Sequence, residues 1–182
     1  MKALTLLLAL TLAATAGAQS TWKNLRFGQS RDDVRNALTT QGIAVETSQE
    51  GSLQSTSDYQ LFVPGLRHTL PLHTEFRFTD SGGLMDITLT LDIPAMRQNY
   101  NEFRTDDALL AFASDHLTRA LTDIYAAPVS TTSECDADPA TFANKPTGCT
   151  INWHGTGQSI AIDWLTHPAH LYIRYQMLSP DL

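Results

Sequence analysis

The chain has 182 residues and a formal net charge of -7. An acidic chain with no basic run lacks the clustered lysines and arginines that nucleic acid or an anionic membrane surface requires. Its length suits one domain, or two small halves sharing a core.

The N-terminus carries one charge, Lys2, then an uncharged Ala/Leu/Thr run from Ala3 to Ala14, then Ala16-Gly17-Ala18. This is the order of a secretory signal, and it predicts cleavage after Ala18. The apolar run is shorter than the roughly 20 residues a membrane-spanning helix needs. No cysteine lies near the cleavage site to accept a lipid, and no second long apolar stretch follows. The expected product is exported, periplasmic or extracellular, with neither membrane span nor lipid anchor. Residues 1–18 are then the signal and 19–182 a single domain.

Ser30 is a good N-cap, with Asp33 at the capping-box offset and Asp32 and Asp33 at the positive end of the helix dipole. Val34, Ala37 and Leu38 form an apolar stripe and Gly42 a stop, which predicts a helix over about 31–41. A strand is expected from Ile43 to Thr47, a loop over 48–57, and a strand from Tyr59 to Val63 ended by Pro64-Gly65. A turn at Ser81-Gly82 sets Phe78 opposite Met85, Phe76 opposite Ile87, Thr74 opposite Leu89 and Leu72 opposite Leu91. The other face then pairs Arg77 with Asp86, Glu75 with Thr88 and His73 with Thr90. A one-residue slip would destroy both patterns.

Thr105-Asp106-Asp107 caps a second helix over about 106–126, whose stripe is Leu109, Phe112, Ala113, Leu117, Ala120, Leu121 and Ile124. A polar stretch between Cys135 and Cys149 follows. In an exported chain two cysteines predict a disulfide, and closing a loop of about 15 residues is worth roughly 3 kcal/mol. Turns at Thr156-Gly157 and His167-Pro168 give one consistent buried face: Ile151, Trp153, Ile160, Ile162, Trp164, Leu171, Ile173 and Tyr175. The predicted class is α+β: two consecutive helix-then-antiparallel-meander halves, about 22–92 and 105–178, with helices on one face of the sheet.

The opposite face of the last three strands displays Asn152, His154, Ser159, Asp163, His170, Tyr172 and Arg174. His154, Asp163, His170, Tyr172 and Arg174 form the candidate binding face, with Asp163 and Arg174 expected as an ordinary surface ion pair. The pattern His167-x-x-His170 lacks the three or four converging ligands of a zinc site, so no metal is assigned. Gly157-Gln158-Ser159-Ile160-Ala161 lies in a hairpin rather than on a strand-to-helix elbow, so it predicts no activated serine. Phosphate-loop, dinucleotide, zinc-protease and calcium-loop motifs are absent, so neither cofactor nor catalytic residue is assigned.

The stretch W-x-x-L-x-F-G-x-S-x-x-x-V-x-x-x-L, Trp22 to Leu38, resembles the opening of small exported bacterial modules in which such a turn caps a helix and a meander follows. The layout is similar to that of the BamE family of outer-membrane assembly lipoproteins and, in doubled form, the β-lactamase inhibitor proteins. The resemblance implies binding to other macromolecules rather than catalysis. The expected function is a non-enzymatic protein- or ligand-binding module of the bacterial envelope or secretome, with an envelope or extracellular protein as partner. The alternatives are a small hydrolase or metal-dependent enzyme working on the polar face of the last three strands, and a structural or stress-related envelope protein.

Overall fold

A computed structural model describes residues 22–131, 148–155, 157–166 and 168–178. The expected signal, Cys135 of the expected disulfide, and the turn residues Thr156 and His167 lie outside these residues. The class is α+β: helices α1 (Arg31–Thr40), α2 (Ile93–Asn99) and α3 (Asp106–Tyr125) accompany one sheet. Its strands are β1 (Val45–Thr47), β2 (Leu53–Ser55), β3 (Tyr59–Leu61), β4 (Leu70–Phe78), β5 (Leu84–Leu91), β6 (Ser130–Thr131), β7 (Gly148–Gly155), β8 (Gln158–Thr166) and β9 (Ala169–Met177). Every pairing is antiparallel. The order is β1-β2-β4-β5-β9-β8-β7-β6, with β3 also paired to β4.

Local chemistry starts each helix. The Ser30 side chain accepts from the Asp33 N–H, and its hydroxyl donates to the Asp33 carboxylate at 2.7 Å. Asp92 caps α2 and Thr105 caps α3 in the same way, through the N–H groups of Ala95 and Ala108. The F-G-x-S segment also has a tertiary role. Gly28 N–H donates to Leu84 O and Leu84 N–H donates to Gln29 O, which ties the entry of α1 to the start of β5. A Cβ at Gly83 would stand 3.1 Å from the Gly28 Cα, so this close approach needs a residue without a side chain.

The β4–β5 register is as predicted from Leu72–Leu91 through Arg77–Asp86. It then shifts: a bulge between Arg77 and Phe78 sets Phe78 opposite Leu84, not Met85. The expected loop at 48–57 contains β2, which pairs with both β1 and β4. The strands expected from Ile43 and to Val63 are shorter, and α2 was not expected. Both C-terminal registers match the prediction, and all eight residues assigned to the buried face are buried.

One apolar cluster joins Val34 and Leu38 of α1, Met96 of α2, Leu109, Leu110 and Leu117 of α3, and the inner face of the sheet. α3 lies against β7, β8 and β9. Its stripe departs from prediction at both ends: Leu110 is fully buried, whereas Ile124 is 69% exposed. Leu110 joins a cluster that includes Met96 and Tyr100, two core residues the sequence did not disclose.

Tyr100 is fully buried, with its ring 5.4 Å from Phe112 between centroids. Its hydroxyl donates to His68 O at 2.9 Å and accepts from His68 N–H at 3.1 Å. Tyr100→Phe keeps the ring and strips both backbone groups of a partner. The expected loss is about 1–2 kcal/mol in urea unfolding with an unchanged slope; a loss below the error of the fit would refute this role for the hydroxyl.

Candidate functional site

The outer face of the sheet is ordered by strand pairing into three rows. The first runs His73, Thr90, Tyr172, Asp163, Thr150; the second Glu75, Thr88, Arg174, Ala161, Asn152; the third Arg77, Asp86, Gln176, Ser159, His154. Pairing of β5 with β9 makes these rows continuous across β4, β5, β9, β8 and β7. Residues in the rows are half-buried or exposed, except Asp86, which is 0% exposed.

Asp86 organises the middle of this face. Its Oδ2 lies 3.0 Å from Arg77 Nη2 and 2.9 Å from Arg174 Nε, and its Oδ1 accepts from the Thr88 hydroxyl at 2.9 Å. The hydrogen bond to Asp86 is the main reason that the Arg77 guanidinium is held above its usual pKa range; partial burial opposes it. Both arginines retain about two-fifths of their side-chain surface, 43% and 37%. One buried carboxylate therefore fixes two half-exposed guanidinium groups on a flat surface.

This corrects the expected Asp163–Arg174 pair, because Arg174 turns to Asp86 instead. Asp163 accepts a hydrogen bond from the Tyr172 hydroxyl at 2.8 Å. Burial, with the bond to Asp163 as a second cause, pushes the Tyr172 phenol above its ordinary range, so it stays protonated and donates. The His170 ring stacks on Tyr172 at 5.5 Å between centroids and 7° between planes, and its Nδ1 lies 3.1 Å from Pro168 O.

Asp163, His170 and Tyr172 are thus brought together, with Arg174 next to Tyr172 along β9. His154 is not: it stands at the far end of the third row, opposite Ser159 but with no hydrogen bond to it. The residues missed by sequence reasoning are Asp86 and Arg77. Their mutual pairing was legible in the hairpin, but the approach of Arg174 required the β5–β9 contact.

Among the described residues no group of three or more His, Cys, Asp or Glu side chains is placed to hold a metal ion. Nor is any described helix long and apolar enough to cross a membrane. Cys149 lies buried on β7 opposite Trp164. Compared with known proteins, the chain matches no family, no curated protein and no solved structure.

Proposed function

We propose that this chain is an exported, non-enzymatic binding module whose outer sheet face docks a protein of the bacterial envelope or secretome. The carrying observation is the five-strand face itself, on which Asp86 fixes Arg77 and Arg174 beside the stacked His170–Tyr172 pair. Tyrosine and arginine held in place before contact lose little entropy on binding and dominate interface energetics. The order of elements, and the resemblance of Trp22–Leu38 to small exported modules, support reading the sheet as two helix-then-strand halves (22–92 and 105–178) joined at β5–β9. The signal over residues 1–18 and a Cys135–Cys149 disulfide belong to the same reading. N-terminal sequencing of the exported product should then begin at Gln19, and thiol titration should find no free thiol before reduction.

The test of binding compares variants against one retained partner. Immobilised protein should retain a partner from envelope extract, and Phe62→Ala, away from this face, should retain it equally. His170→Ala combined with Tyr172→Ala should weaken the complex about thirtyfold, as expected for a hot-spot loss of about 2 kcal/mol. The melting temperature should move little, because both side chains are half-exposed. Equal retention by the double variant, or retention of nothing by the wild type, would sink the reading.

A further inference from the structure

On the opposite side of the sheet, a cavity of about 250 Å³ opens between the 61–64 segment, the last turns of α3 and the inner face of β5 and β9. Trp22, Leu61, Leu89, Leu117, Leu121 and Tyr175 line it. Close-packed interiors leave few voids larger than a water molecule, and apolar cavities of roughly this size bind apolar guests. Its rim carries two apolar side chains that folding has left in water, Phe62 at 72% and Ile124 at 69% exposed. Ile124 continues the apolar stripe of α3, so the helix presents it toward the cavity mouth instead of the filled core.

Two polar groups point to what the cavity takes. Trp22 and Tyr175 are each more than nine-tenths buried, and no described residue accepts from the indole N–H or the phenol O–H; both atoms keep contact with solvent. A guest that displaces water from such donors has to offer acceptors in its place. Burial holds the Tyr175 phenol well above its ordinary pKa, so it remains a neutral donor. Among the described lining residues the carboxylate is Asp123, which disfavours an anionic guest.

We propose that this cavity is a binding site for a small neutral amphiphile: an apolar body with one or two acceptor oxygens, such as a ketone, ester or alcohol. Benzene fills an engineered apolar cavity of about 150 Å³, which scales to a guest of about ten carbons here. Its apolar body lies against Leu89, Leu117 and Leu121, its oxygen accepts from Tyr175 or Trp22, and Phe62 and Ile124 cover the mouth. This site is independent of the outer sheet face.

The probe is 2-decanone, titrated calorimetrically into the purified protein, with decanoate as comparator. Expected is saturable one-site binding of 2-decanone, with decanoate weaker by about tenfold or more. Tyr175→Phe should weaken 2-decanone about tenfold, the equivalent of one hydrogen bond. Ala120→Trp, placed on the half-buried lining of α3, should fill the mouth and abolish binding. Phe62→Asp changes an exposed side chain that the fold does not need, and it should weaken binding at least about fivefold by charging the rim. No saturable binding to the wild type, or an affinity unchanged by both Phe62→Asp and Ala120→Trp, would overturn the proposal. So would a concentration-dependent dimer that Phe62→Asp dissociates, since it would assign the cavity to a second copy of the chain.

Discussion

Asp86→Ala is expected to destabilise the fold by about 2–4 kcal/mol, measured by urea unfolding at neutral pH. Removing one partner of a buried ion pair costs about 3–5 kcal/mol when the remaining charge is sealed from water. Here the remaining charges are two guanidinium groups, each about two-fifths exposed, so water recovers part of that cost. What it does not recover is their mutual repulsion, because both were drawn to a single carboxylate oxygen. Thr88 loses its acceptor as well. The single variants Arg77→Met and Arg174→Met should each cost about 1 kcal/mol, because the other arginine continues to neutralise Asp86 and the methionine stem preserves packing. The expected order, aspartate loss well above either arginine loss, separates a buried organising carboxylate from an ordinary surface pair. Equal costs for all three would refute it. Added salt should narrow the gap by screening the guanidinium repulsion.

The same residue explains why the site was only partly legible in the sequence. Alternation along β4 and β5 put Arg77 opposite Asp86, and alternation along β7 to β9 put Tyr172, Asp163 and Arg174 on one surface. Period-two patterning resolves faces and local registers because a slip exposes every apolar residue at once. It does not specify which strand of one segment lies beside which strand of another. Arg174 could therefore be paired only with the nearest acid on its own sheet fragment, Asp163, whereas β5–β9 pairing delivers it to Asp86. The short elements failed for a different reason. Leu53–Ser55 and Ile93–Asn99 are too short to display a period, and the bulge at Arg77/Phe78 moves the turn from the expected Ser81-Gly82 to Asp80-Ser81, closed by the Gly82 N–H on Thr79 O. Ile124 was misplaced because helical periodicity reports which face is apolar, not where the facing layer ends.

The cavity could not be read from sequence. It forms where the 61–64 segment, α3 and the inner face of β5 and β9 meet without filling the space between them. The continuous sheet separates it from the outer face, with Leu89, Ile173 and Tyr175 on one side and Thr88, Arg174 and Tyr172 on the other. Both faces are carried by the strands of one sheet.

Trp153→Ala should be the most damaging single change on those strands, costing about 3–5 kcal/mol as aromatic truncations in cores do. Trp153 is the largest fully buried side chain, and it lies on β7 opposite Ile160, in the row that continues to Tyr175, Ile87 and Phe76. Its loss leaves a void beside Ile160, its partner on β8, where β7 and β8 cannot shift against each other without breaking the ladder between them. Trp153→Phe is expected to cost much less, about 1 kcal/mol. The indole N–H has no hydrogen-bond partner, so phenylalanine removes a buried orphan donor along with some packing volume, and the two effects oppose each other. Calorimetric unfolding of the two variants decides between packing and polar bookkeeping. A Phe variant as unstable as the Ala variant would mean that the indole makes a polar contact the core requires, whereas a mild Ala variant would mean that β7 collapses onto α3 after truncation.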